Sequence, residues 1–271
     1  MFYKQDDILL HYLSIGEGVP VLILHGLTCD HRLMTACLEP VFTNKKGLKR
    51  IYIDLPGMGK SGNDIQYASS DAILNILIGF IGKEIGKAPF IIIGESYGGY
   101  LSMGILSKFH TQILGMCLIC PMVNPKHSTR KLPRKSIIVK DEEFLKILPS
   151  EEKDDFLNIA VVATQATYQR YNNEVKTGNK LMNLAFVEEV VKNYQFSFEL
   201  YRKLNEIKFD KPVLILSGKQ DNVVGYEDLW EVSKHYERLT FLTLDIAGHN
   251  LQIDQPEIFN VMVENWLTHI R

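Results

Sequence analysis

The chain has 271 residues, 46% apolar and 23% charged, with a formal net charge of −2. That length suits one large α/β domain with an insertion, or two modest domains, and buries a core without staples. The near-neutral balance excludes a nucleic-acid binder working through bulk electrostatics, and no apolar run is long enough to span a membrane.

The first residues, Met1 to Asp7, place acids ahead of any apolar stretch, unlike a signal peptide. The expected location is therefore cytoplasmic. Candidate strands follow at residues 8–14, 20–24, 50–54, 90–94, 114–120, 211–217 and 240–245. Several are rich in Val and Ile and end in Gly, Asp or Pro, the pattern of buried parallel strands. Helices are predicted over 71–86 after Ser69 and Ser70, over 97–109 after Ser96, over 226–236, and over 256–270 with Pro256 in the first turn. This alternation predicts a mostly parallel sheet covered on both faces. The first two strands, separated only by a Gly-containing turn, read as an antiparallel hairpin.

One block breaks the rhythm. Residues 122–205 offer no strand triplet and instead suggest helices at 141–148, 151–171 and 185–201. The block carries 14 Lys+Arg against 11 Asp+Glu, while the rest carries 16 against 21. A helical block between two strands of one sheet reads as an inserted cap or lid. Its basic cluster, Lys126, Arg130, Lys131, Arg134 and Lys135, is expected to be a solvated loop. Without a secretion signal, the even count of four cysteines is no evidence of disulfides. Cys117 and Cys120 match C-x-x-C, but residues three apart on a strand face opposite ways, so they read as two packed thiols.

Three strand ends carry chemistry. Gly94-Glu-Ser96-Tyr-Gly98 lies between a strand and a helix, as a nucleophile elbow requires. The serine must project from a sharp turn, and the flanking glycines relieve its crowding. Asp221 follows the strand at 211–217, and His249 follows the strand at 240–245. A serine hydroxyl needs a base to take its proton, and the base needs a carboxylate to hold its tautomer. Parallel strands place their C-terminal ends together, so Ser96, Asp221 and His249 should converge. His25-Gly26-Leu27 ends an earlier strand. An oxyanion hole needs two backbone N–H groups, for which Leu27 and Tyr97 are the candidates, with His25 a structural residue of its loop.

Strand-HG-L, D-L-P-G-M-G-K-S-G, G-E-S-Y-G-G, G-K-Q-D-N-V-V and A-G-H-N-L-Q-I-D-Q-P together resemble the α/β-hydrolase superfamily with an inserted cap. The resemblance covers roughly residues 8–121 and 211–271. It implies a mostly parallel eight-stranded sheet flanked by helices, with core segments 1–121 and 206–271 and a cap at 122–205. It also implies a triad of Ser96, Asp221 and His249, an oxyanion hole at Leu27 and Tyr97, and no cofactor. Glu95 stands where the superfamily often has histidine.

Other signals fall away. Gly57-Met-Gly59-Lys-Ser-Gly62 matches a dinucleotide fingerprint, but Leu55-Pro56 separates it from its strand and no acid lies about 20 residues on. It reads as a backbone bend near the site. His11, His31, His110, His127, His235 and His269 show no metal-ligand spacing, and no metal is expected. The expected function is cleavage of a carboxylic ester or related acyl bond of a small, apolar-tailed substrate through an acyl-enzyme. The partner is a small molecule, not nucleic acid, acted on by a monomer or a homodimer. Three alternatives share the layout: a proline-iminopeptidase-like aminopeptidase, a carbon–carbon bond hydrolase, and a non-enzymatic ligand sensor. The aminopeptidase needs acids facing the site, for which the cap offers Glu174, Glu188, Glu189 and Glu199.

Overall fold

The computed structural model describes residues 1–43 and 45–270. Eight strands form the main sheet: β1 (Phe2–Gln5), β2 (Ile8–Ile15), β3 (Val19–Leu24), β4 (Leu48–Ile53), β5 (Phe90–Glu95), β6 (Ile113–Ile119), β9 (Val213–Gly218) and β10 (Leu239–Leu244). Two short strands between β6 and β9, β7 (Val139–Lys140) and β8 (Val162–Ala163), pair only with each other. The main sheet runs β1-β2-β4-β3-β5-β6-β9-β10, parallel from β4 to β10. Every residue of 21–24, 51–53, 91–93, 116–119 and 213–216 is buried, which explains why these runs are apolar without alternation.

The hairpin expected between residues 8–14 and 20–24 is not formed. Strand β2 pairs antiparallel with β1 and with β4, and β4 separates it from β3. The tight turn is instead at Asp6, whose φ is +50°. The predicted strand list also lacked β1, too short to show a period.

Helix α1 (His31–Phe42) packs on α12 (Pro256–Thr268), and α2 (Ser70–Phe80) packs on α3 (Tyr97–Phe109). These pairs flank the sheet. Helix α1 was absent from the predicted elements: Pro40 interrupts its pattern, while its start is secured by Asp30, whose side chain accepts from the Arg32 N–H.

The block after β6 holds α4 (Glu142–Ile147), α5 (Ser150–Leu157), α6 (Gln165–Arg170), a π-helical turn (Tyr171–Lys176), α7 (Thr177–Asn179), α8 (Leu184–Lys192) and α9 (Leu200–Asn205). Two predicted helices are each broken in two. Within 151–171 the chain stops at Asn158, passes through β8 and restarts at a Thr164–Thr167 capping box. Within 185–201 it leaves the helix at Asn193 so that Tyr194 can lie on Tyr97 and Phe196 can stack on Tyr100. Helix α10 (Glu227–Ser233) precedes β10, and α11 (Leu251–Asp254) follows it. No helix among the described residues is long and apolar enough to cross a membrane.

Candidate active site

The serine sits at the end of β5, where the chain must turn sharply into α3. Ser96 takes φ +51° and ψ −115°, a strained conformation for a residue with a side chain. The turn closes only because its neighbours are small. A Cβ on Gly94 would strike the Gly98 carbonyl, and one on Gly98 would strike the Leu24 carbonyl. The spacing of the two glycines thus follows from how closely β5, α3 and the end of β3 approach.

The fold brings the three predicted side chains together. Ser96 Oγ lies 2.9 Å from His249 Nε2, and His249 Nδ1 lies 2.8 Å from Asp221 Oδ2. Asp221 is fully buried, and its other oxygen accepts the Val223 and Val224 N–H groups at 2.8 and 3.0 Å. Those donors hold the carboxylate toward the imidazole. Cys120 packs behind them, its Sγ, a carboxylate oxygen of Asp221 and a ring nitrogen of His249 all within 4.8 Å of one another. Burial raises its thiol pKa well above the usual range, so it contributes a neutral wall. The other three cysteines are also buried and free.

Burial alone would lower the His249 pKa. The Asp221 charge and hydrogen bond, with help from Glu95, outweigh it and bring the imidazole up to about 8.

Residues 25–27 form the opposite wall. His25 is buried, with Nε2 accepting the Leu55 N–H at 2.9 Å and Nδ1 2.7 Å from the Gly26 carbonyl. It pins the loop and does not line the cavity. A side chain on Gly26 would collide with Glu95 and press within 3.1 Å of Ser96 Cβ, so this loop abuts the serine directly. Neither the Leu27 nor the Tyr97 N–H donates to a protein acceptor among the described residues.

One feature of the site was not read from the sequence. Glu95 is 2% exposed, its Oε1 is 3.6 Å from His249 Nε2, and its Oε2 has no hydrogen-bond partner among the described residues. Burial raises its pKa to about 7, only partly offset by the His249 charge. The only signal in the sequence was its departure from the expected histidine.

Two of the histidines that show no metal-ligand spacing in the sequence meet in the fold. His11 Nδ1 and His31 Nδ1 each lie 2.7 Å from a carboxylate oxygen of the buried Asp54. That carboxylate also accepts the His31 and Lys60 N–H groups, the latter from the glycine-rich bend. Residues far apart in sequence converge there through β2, α1 and the end of β4. All four of these contacts to Asp54 come from nitrogens, so the cluster is a hydrogen-bond hub that ties the bend to α1.

Ser96 and His249 open into a cavity of about 550 Å³. The block at 122–205 supplies much of its wall, including Ile159, Tyr171, Val175, Val191 and Tyr194. Of the four acids named for an amine site, none lines the cavity. Glu174 is paired with Arg170, and Glu189 with Lys192.

Comparison with known proteins agrees with this fold. Residues 19–256 match the family model described as serine aminopeptidase, S33. A crystal structure of an α/β superfamily hydrolase from Oenococcus oeni is 33% identical, covers 100% of this chain and 99% of its own, and superposes with a TM-score of 0.90. The monoacylglycerol lipase ABHD6 of Homo sapiens is 23% identical over 94% of this chain and 77% of its own. A thermophilic esterase from Thermogutta terrifontis shares the fold at TM-score 0.70 and 19% identity, over 97% and 94% of the two chains. The chain belongs to the serine aminopeptidase S33 family and is a hydrolase of the α/β-hydrolase superfamily.

Proposed function

We propose that this hydrolase cleaves a carboxylic ester of a small, apolar-tailed substrate through an acyl-enzyme on Ser96. The observation that carries this reading is the unbroken chain from Ser96 Oγ to His249 to Asp221, open to a largely apolar cavity. His249 takes the hydroxyl proton at Nε2 as Oγ bonds to the ester carbonyl carbon. Asp221 keeps the other ring proton at Nδ1 and stabilises the imidazolium. The unspent N–H groups of Leu27 and Tyr97 receive the oxyanion, which needs preorganised donors at that point. His249 then returns its proton to the leaving alkoxide as the C–O bond breaks. A water attacks the acyl group by the same route in reverse. The inserted block serves as the cap, walling the cavity and limiting water around the intermediate.

The similarity to a monoacylglycerol lipase and an esterase supports the ester over the amide. The aminopeptidase reading draws on the family description and on Glu95, a buried carboxylate that lines the cavity and has only His249 as an ion-pair partner among the described residues. A panel of p-nitrophenyl esters of graded chain length, run beside aminoacyl-naphthylamides, separates the two. Turnover of short and medium esters with an initial burst is expected. Preference for the naphthylamides would move the function to the aminopeptidase, and single-turnover binding without release would point to a sensor.

A further inference from the structure

The basic cluster at 126–135 does not behave as a uniform solvated loop. Arg130 turns inward and lines the cavity beside Tyr194, Val223 and Val224. Its Nε donates to the Asn124 carbonyl at 2.7 Å and its Nη1 to the Val223 carbonyl at 2.9 Å. These two contacts leave the Nη2 edge without a protein acceptor among the described residues. No carboxylate there lies within 4.0 Å of the guanidinium, whereas Arg170 in the same block holds Glu174 with both Nε and Nη2.

Tyr194 completes the arrangement. Its ring lies on Tyr97 at 4.8 Å, and its carbonyl accepts the Ser70 hydroxyl at 2.7 Å. Arg130 and Tyr194 line the same cavity, and the Tyr194 hydroxyl donates to no protein group among the described residues. A rigid phenol and a cation clamped by two carbonyls, both with donors unspent, form an incomplete site. A half-buried guanidinium with no carboxylate in contact is costly, and its planar edge matches a carboxylate.

We propose that Arg130 and Tyr194 anchor a carboxylate carried by the substrate, so that the preferred substrates are esters with an apolar body and a free acid, such as half-esters of dicarboxylic acids. This rests on the ester-hydrolase reading for the location of the scissile bond, but the anchor itself is testable without turnover.

The kinetic arm compares mono-4-nitrophenyl glutarate with its neutral methyl ester. Wild type should prefer the acid. In Arg130→Gln the acid-to-neutral ratio of kcat/KM should fall roughly 10- to 100-fold, the span of a charge-assisted hydrogen bond. Tyr194→Phe should lower it severalfold, and Lys131→Gln, from the same basic cluster, should leave it in place. The binding arm uses Ser96→Ala with monomethyl glutarate and dimethyl glutarate in calorimetry. The half-ester should bind more tightly, and Arg130→Gln in that background should abolish the difference. If neither ester is turned over yet the half-ester binds through Arg130, the ester reading fails and the anchor stands. If Arg130→Gln lowers both esters equally and binding shows no preference for the acid, Arg130 is only a latch between the 124–130 strap and the Asp221 loop, and the proposal is overturned.

Discussion

The loops at the C-terminal ends of the strands and the inserted block at 122–205 meet at one cavity but are built by different physics. In the loops, each candidate group is placed by local backbone chemistry: a strained Ser96 between close-packed glycines, and Asp221 held by two N–H groups of its own turn. In the block, position depends on tertiary packing. Tyr194 and Phe196 leave their helix to lie on Tyr97 and Tyr100, and Arg130 is aimed by carbonyls 6 and 93 residues away. Chemistry set by local geometry and specificity set by distant contacts should respond differently to substitution.

The largest effects belong to the strand-end loops. His249→Ala should lower kcat by about 10⁴-fold with thermal stability little changed; a loss below tenfold in steady-state assays would mean that another base serves. Asp221→Asn leaves the shape but removes the charge that orients the imidazole, and should cost about 10³- to 10⁴-fold. An intermediate effect on stability is expected in the block. Phe196→Ala removes a buried ring stacked at 4.3 Å on Tyr100 and should destabilise by about 3–5 kcal/mol in urea unfolding. A cost under 1 kcal/mol would show that the block is not packed as described.

The smallest effects concern Glu95. The base works as neutral imidazole, so kcat/KM should rise with pH through an apparent pKa near 8. Glu95→Gln removes a negative charge 3.6 Å from Nε2 and should move that limb toward the ordinary histidine value near 6.5. A limb that stays put would show that Glu95 does not act on His249. Stability gives an independent reading. With its folded pKa raised from 4.5 to about 7, Glu95 makes the folded state bind the extra proton, so stability falls as pH rises between those values. The loss is on the order of 3 kcal/mol. The Tm of Glu95→Gln relative to wild type should therefore be more favourable at pH 8 than at pH 4, by differential scanning calorimetry.

The same contrast explains what could be read from the chain alone. Ser96, Asp221 and His249 were legible because each follows an apolar strand in a distinctive short motif, and the sheet gathers such ends. Strand β1 and helix α1 were missed because four residues show no period and Pro40 disguises a helix secured by Asp30. The first hairpin was misplaced because strand neighbours need not be sequence neighbours; β4 inserts between β2 and β3. Arg130 looked like its exposed neighbours, since nothing local says that Asn124 and Val223 will turn it inward. Glu95 stood out only as an unusual letter, and its proximity to His249 comes from the fold.

Intact-protein mass spectrometry after a rapid quench with a p-nitrophenyl ester tests the role of Ser96 most directly. Wild type should gain one acyl mass, located by peptide mapping on Ser96, and Ser96→Ala should gain none. An acyl group on another residue, or turnover by Ser96→Ala at the wild-type rate, would contradict nucleophilic catalysis by this serine.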